Sequence, residues 1–324
     1  PQPGPPAASA GVSERAAALA EARRLVNASR PREAIRLLEA RDDRDAPEVA
    51  HLLAVAYYHA DDHARAIALL APIVDRLPPG SIERREAVQV LGLSLFVTGR
   101  YAEARPHLEA TREWARENQE LAYVLGQTYI QLREPDRARE ALAGAFSLPP
   151  DSAGAHLVAA QTMIRLEQEA LAEAELKKAL EKDASLPHAH YLLGQIALFR
   201  GRFDEAAALC EREIAVNPGN AMAFYQLGDA RVRQGRWDEA IAALQKSLWL
   251  NPFYSAPYIL LGRAYHRKGQ LATAEGMLRR AIAYDPNNRT AHYLLAQLLQ
   301  QMGRTEEAKR EFAIAEKLQG QPGR

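Results

Sequence analysis

The densest set of groups able to hold a metal is His59-Ala60-Asp61-Asp62-His63, two imidazoles four residues apart with two carboxylates between them. Imidazole and carboxylate together suit divalent cations. The same run reads as a turn between helices, where the backbone does not keep such side chains on one face. His188-Ala189-His190 is a weaker pair, because His190 occupies a place that Phe224 and Tyr258 fill further along the chain. The one thiol, Cys210, takes a place filled elsewhere by Leu176, Leu244 and Leu278, and reads as a small buried apolar side chain. No G-x-S-x-G, phosphate-binding loop or H-E-x-x-H occurs. Carboxylates such as Glu306 and Glu307 precede Lys309 and Arg310 at helical charge-pair spacing, as on a solvated face. The expectation is a non-enzymatic protein with no catalytic residue, no metal and no cofactor.

A different chemistry recurs. Tyr123 is followed four residues later by Gln127, Leu157 by Gln161, Tyr191 by Gln195, Tyr225 by Asp229, Ile259 by Arg263, and Tyr293 by Gln297. On a helix the members of each pair are one turn apart and face the same way. Tyrosine offers apolar area with a hydroxyl, and glutamine both donates to and accepts from a peptide backbone. A ladder of this kind suits an extended polypeptide or a glycan. The same pattern would arise if the tyrosines packed between neighbouring helices and the glutamines met only water. Arg165, Arg233, Arg263, His266 and Arg267 make the later part of this face basic, which favours an acidic ligand segment there, while Glu48, Glu86 and Glu120 mark its N-terminal lip. These tyrosines, glutamines, arginines, Asp229 and His266 are the candidate partner-binding residues.

The elements that position them repeat. AHYLLGQIALFRGRFDEAAALCEREIAVNP from Ala189, AFYQLGDARVRQGRWDEAIAALQKSLWLNP from Ala223 and PYILLGRAYHRKGQLATAEGMLRRAIAYDP from Pro257 align without gaps at a spacing of 34. The register extends to nine repeats starting at Arg15, Pro47, Arg85, Gln119, Ala153, Pro187, Ala221, Ser255 and Arg289. The first is two residues short, and Ser81 to Arg84 is a four-residue insertion. Place twenty is alanine in all nine, from Ala34 to Ala308, and place eight is only glycine or alanine, as at Ala22, Gly126 and Gly228. Small residues at two recurring places imply two helices per repeat whose backbones cross closely, with leucines filling the sides. Gly99, Gly201, Gly235, Gly269 and Gly303 end the first helix, and Pro78, Pro150, Pro218, Pro252 and Pro286 end the second. The first two repeats lack the turn glycine, and Arg133 and Glu167 replace it in the fourth and fifth. Place twenty-eight is apolar in most repeats, but polar at Asp42, Arg112 and Glu316; in the last repeat that suits a solvated end cap, with Phe312, Ala315 and Leu318 keeping an inward face.

A period of 34 with this pattern resembles the tetratricopeptide repeat family, over residues 15 to about 320. The resemblance implies an all-α, right-handed superhelical solenoid whose first helices line an inner groove, and a scaffold serving protein partners rather than a reaction. It implies the division 1–14 Pro/Ala-rich linker, 15–320 solenoid and 321–324 tail. Family members that grip chaperone C-termini use a lysine and asparagine clamp, which is missing at the matching places here. A structural subunit that assembles with further copies of itself, and the reading arm of a larger export or glycosyltransferase system, are the alternatives.

Composition sets the outer bounds. The chain has 324 residues, with 41 Lys plus Arg against 41 Asp plus Glu. Zero formal charge argues against a nucleic-acid binder, and 48% hydrophobic residues argue against a disordered acidic chain. The longest run free of polar side chains, Ala66 to Val74, is too short for a bilayer span. Pro1 to Val12 reads as extended linker. The missing initiator methionine and this Pro-rich start favour export over a cytoplasmic location, where the sequons at Asn27 and Asn288 would matter.

Overall fold

The computed structural model describes residues 7–319, and among them every regular element is an α-helix. First helices of successive pairs are α1 (Ala7–Asn27), α3 (Pro47–His59), α5 (Ile82–Val97), α7 (Gln119–Gln131), α9 (Ala153–Arg165), α11 (Ala189–Phe199), α13 (Ala221–Arg233), α15 (Ser255–Arg267) and α17 (Arg289–Gln301). Second helices are α2 (Pro31–Glu39), α4 (His63–Leu70), α6 (Tyr101–Thr111), α8 (Pro135–Ala145), α10 (Glu169–Lys182), α12 (Phe203–Val216), α14 (Trp237–Leu250), α16 (Leu271–Tyr284) and α18 (Thr305–Gln319). The chain divides into two compact units, up to Leu171 and from Ala172 onward. In each unit consecutive helices pack, and first helices also touch the next first helix, as α3 does α5 and α13 does α15.

The place-twenty alanines are the core of this packing: Ala34, Ala66, Ala104, Ala138, Ala172, Ala206, Ala240 and Ala274 are 0% exposed and Ala308 is 2%. Place eight faces the place-twenty-four side chain of its own pair. A methyl built on Gly126 would lie 2.6 Å from Leu142 Cγ, and one on Gly262 2.7 Å from Leu278 Cγ. On Gly194 it would lie 3.1 Å from the Cys210 sulfur. Cys210 is therefore the leucine-equivalent knob of its pair, and burial, followed by the nearby Glu213 and Glu211, pushes its thiol up to about 12.

The turn after each first helix holds its geometry whether or not glycine is present. Ser29, Asp61, Arg133 and Glu167 take left-handed φ values of 58°, 61°, 59° and 58°, close to the 75° of Gly99 and 74° of Gly235. The tight loop into the second helix is thus dictated by the packing of the pair, and four non-glycine residues accept its strain.

Three features depart from the sequence reading. Residues 7–14 are helical, where an extended linker is expected; Ala7, Ala8 and Ala10 are strong helix formers that carry α1 upstream of Arg15. Residues 1–6 and the tail 321–324 lie outside the described residues. Second helices differ between the units: α12, α14 and α16 each have 14 residues, whereas α2, α4, α6 and α8 have 9, 8, 11 and 11. Pro72 follows the end of α4, while Asp42 and Arg112 mark the early ends of α2 and α6. Third, α11 starts at Ala189 after His188 takes φ 71°, and the buried Glu213 of α12 caps it, accepting from the His188 amide at 2.9 Å and the Tyr191 amide at 3.3 Å.

Ion pairs join neighbouring pairs at matching places, twenty-one on one and sixteen on the next. Arg105 donates to Glu134 at 2.8 Å. In the C-terminal unit the signs are exchanged: Arg202 lies 3.6 Å from Glu173 and Arg304 2.7 Å from Glu275.

Candidate functional site

The ladder residues sit on the first helices, and their surroundings separate them. In the N-terminal unit Tyr123 and Arg165 are partners of each other. The Arg165 guanidinium donates to the Tyr123 hydroxyl at 2.8 Å and to the Thr162 hydroxyl at 3.3 Å, and lies 5.9 Å from the Tyr123 ring centroid. The other edge of Tyr123 meets Phe146 at 6.3 Å. Gln127 is half-buried and Gln161 exposed.

In the C-terminal unit the tyrosines also lean on other rings. Tyr225 meets Tyr254 edge-on at 5.2 Å, and Tyr293, 44% exposed, meets Phe312 at 5.6 Å. Tyr191 is half-buried. Asp229 accepts from Arg233 at 3.0 Å, and Arg233 also lies 5.5 Å above the Phe203 ring, so this pair is internally satisfied. His266 shares a hydrogen bond with Gln301. Gln195 and Gln297 are exposed. Arg263 and Arg267 are exposed and, among the described residues, make no ion pair or side-chain hydrogen bond. Among the described residues, the free polar groups of this face are therefore Gln195, Arg263, Arg267 and Gln297, set near half-buried Tyr191 and Tyr225 and exposed Tyr293.

The acidic lip changes meaning. Glu86 is gripped by both guanidinium nitrogens of Arg23 at 2.6 Å each, with His51 Nε2 at 3.1 Å, tying α1, α3 and α5 together. Burial acts to raise the Glu86 carboxyl, but the hydrogen bonds from His51 and Arg23 hold it at about 2. It is a structural anion rather than a free ligand contact. Glu120 instead lines a cleft of about 940 Å³ between α3, α5 and α7, with Tyr58, Glu83, Phe96 and Trp114.

The His59–His63 segment forms its turn. Asp61 adopts the left-handed φ, Asp62 caps α4 by accepting from the Arg65 amide at 3.1 Å, and the two imidazoles flank Tyr58 at 5.3 and 5.5 Å. Among the described residues no group of three or more such side chains converges on a cation position. His190 is buried, and burial pushes its imidazole down. Asn288, the second sequon asparagine, caps α17 at the Ala291 amide and donates its amide to Asp285 at 3.0 Å.

Two features escape the pattern reading. The Trp114 cleft lies where the Ser81–Arg84 insertion lets α5 start early and α6 stops at Thr111; the broken period and Arg112 were its only sequence signals. Tyr254 lies at the last place of its repeat, just outside the first helix α15.

Two models, each described as tetratricopeptide repeat, match residues 19–81, 123–187, 157–221 and 191–255, and residues 98–147 and 265–322. The first covers more than half of the chain, and the protein belongs to the tetratricopeptide repeat family. Among solved structures, MamA from Desulfovibrio magneticus RS-1 is similar with a TM-score of 0.49 at 21% identity, over 52% of this chain and 96% of that one. YrrB, described as a TPR protein with an unusual peptide-binding site, gives 0.48 at 23%, over 56% and 93%. The APC/C hetero-tetramer Cut9-Hcn1 gives 0.48 at 19%, over 87% and 55%. No curated protein matches the sequence. No helix among the described residues is long and apolar enough to cross a membrane.

Proposed function

We propose that the protein is a non-enzymatic scaffold that holds an extended polypeptide against the first-helix face of its C-terminal unit. The observation that carries this reading is the set of unpartnered polar groups, Gln195, Arg263, Arg267 and Gln297, recurring beside Tyr191, Tyr225 and Tyr293 on successive first helices. Exposed amides and cations that the fold itself does not use are free to meet a peptide backbone and its side chains. The rings, half-buried at Tyr191 and Tyr225 and exposed at Tyr293, supply rigid apolar area beside them. In the N-terminal unit Tyr123 and Arg165 satisfy one another, so Gln127 and Gln161 are left as the contacts offered there.

The test is affinity capture with the full chain, in parallel with a Tyr225→Ala, Tyr293→Ala double variant, followed by mass spectrometry and titration calorimetry with the captured protein. The reading expects a partner held by the native chain and weakened by about 1–3 kcal/mol for each aromatic removed. A partner bound equally by the variant, with helicity intact, would move the interface off this face.

A further inference from the structure

One face of α5 lines the cleft of about 940 Å³ in the N-terminal unit along the whole helix. Ile82, Glu86, Gln89, Leu93 and Phe96 follow one another there at spacings of four, three, four and three residues, over a rise of about 21 Å. Ile82, 78% exposed, and Val97, 58% exposed, stand at the two ends of this stripe. They are the most exposed large apolar side chains among the described residues of the N-terminal unit. The half-buried rings of Tyr58 and Trp114 also line the cleft. A space of this size takes a row of side chains rather than a single one.

Charge gives the cleft a sign. Of its two lining arginines, Arg23 is held by Glu86, and Arg85 lies 5.8 Å from the Trp114 ring centroid. Glu83 and Glu120, in the first turns of α5 and α7, are exposed and, among the described residues, make no ion pair or side-chain hydrogen bond. Two free carboxylates against Arg85 make the rim acidic and suit a cationic occupant. Partners for a peptide backbone are scarce. Gln89 is the one side-chain amide on the α5 stripe, and Asn118 is spent capping α7 at the Leu121 amide, 3.0 Å away. An extended strand laid here would set its own N–H and C=O groups against Leu93, Phe96 and Trp114, where they find no partner. An α-helix pairs its own backbone and offers only side chains, so it meets this surface without that cost.

We propose that this cleft docks a basic amphipathic α-helix of a protein partner, about fifteen residues long, with its apolar stripe along α5 between Ile82 and Val97 and its lysine or arginine side chains on Glu83 and Glu120. A helix of that length matches the rise of the α5 stripe, and its anchors one turn apart match the spacing of the lining residues. The site lies within the N-terminal unit and stands independently of the C-terminal face, whose free charges, Arg263 and Arg267, have the opposite sign.

The probe is a fluorescein-labelled peptide about sixteen residues long, with leucines at i, i+4, i+7 and i+11, lysines flanking that stripe, and alanine and glutamine elsewhere. Two analogues accompany it, one with glutamate for every lysine and one with prolines at two central positions. Fluorescence anisotropy is measured on the full chain and on three double variants: Ile82→Ser with Val97→Ser, Glu83→Gln with Glu120→Gln, and Tyr225→Ala with Tyr293→Ala. The four cleft substitutions fall on exposed side chains, and circular dichroism checks that helicity is kept. The lysine peptide is expected to bind the native chain at least about tenfold more tightly than either analogue. The serine variant is expected to weaken it about tenfold. The glutamine variant is expected to weaken it about fivefold and to flatten its salt dependence, and the C-terminal variant to leave it unchanged. The proposal is overturned if the lysine peptide does not bind at millimolar concentration, or if the glutamate analogue binds as well. Equal binding of the proline analogue would replace the helix by an extended occupant and overturn it too. So would binding that survives both cleft variants but is lost in the C-terminal one, because the peptide would then sit on the other face.

Discussion

Gly228 of α13 offers the sharpest test of how helix pairs pack. A methyl there would lie 2.5 Å from Leu244 Cγ and 2.6 Å from its Cδ2, against a comfortable carbon contact of about 3.5–4.0 Å. Cγ is the branch point of a side chain that is 0% exposed, so a terminal rotation does not clear it. Overpacking of this size costs about 1–3 kcal/mol. Removing a glycine from a helix interior returns about 0.5–1 kcal/mol. Gly228→Ala should therefore be neutral to about 2.5 kcal/mol destabilising, the difference of those two ranges. Buried Ala54 and Ala296 occupy the same place in α3 and α17, so the place accepts a methyl where the neighbours are set for it, which favours the lower part of that range. Gly276 of α16 is the control, because a methyl there meets nothing within 4 Å. Gly276→Ala gains the same helix propensity without the clash and should stabilise by about 0.5–1 kcal/mol. Urea unfolding followed by circular dichroism reads both, and the gap between the variants isolates the packing cost. Equal midpoint shifts in the same direction would refute the close-crossing argument.

Arg133→Gly should stabilise the N-terminal unit by about 0.5–1 kcal/mol, because an exposed side chain at φ 59° gives way to the residue that accepts this conformation freely; thermal melting checks it, and a lower melting temperature would mean that the arginine supports the turn. Glu86 should govern acid sensitivity in the same unit. Its folded value of about 2 lies below its ordinary 4.5, so its contribution is complete above pH 4.5 and is lost as pH falls toward 2. Glu86→Gln should flatten stability across that window, measured as urea midpoints against pH; an unchanged profile would remove the Arg23–Glu86–His51 tie as its cause.

The repeat was legible because its signal is steric and periodic. Alanine at place twenty and glycine or alanine at place eight record a close approach of backbones, and a close approach tolerates few side chains. What the period could not show lies where local and tertiary demands part. The turns at Arg133 and Glu167 look irregular in sequence, yet pair packing imposes the glycine conformation on both. The short α4 and α6 and the Trp114 cleft arise where proline, Arg112 and the insertion interrupt the period. The ladder was legible as a set of places, but not the partners of each side chain. The spacing of four between Asp229 and Arg233 signals their ion pair, but nothing in it shows Arg233 set over the Phe203 ring or Arg165 turned onto the Tyr123 hydroxyl. Tyr254 was hidden because its place reads as a capping position, and only the geometry shows the ring turned toward Tyr225.

The ion pairs between neighbouring repeats carry an ordering rule. At the two places concerned, Arg105 faces Glu134, but Glu275 faces Arg304. At these seams a helix pair presents a signed edge, and its neighbour meets it with the opposite sign. A recombination that seated the Arg105 edge against the Arg304 edge would set two guanidinium groups together, whereas a join between Ala207 and Gln270, the same two places around the repeat starting at Ala221, would meet neutral against neutral. Opposite charges at these seams make some junctions permissible and others not, so the chain carries within it a grammar for which of its repeats can be gained, lost or exchanged as it evolves.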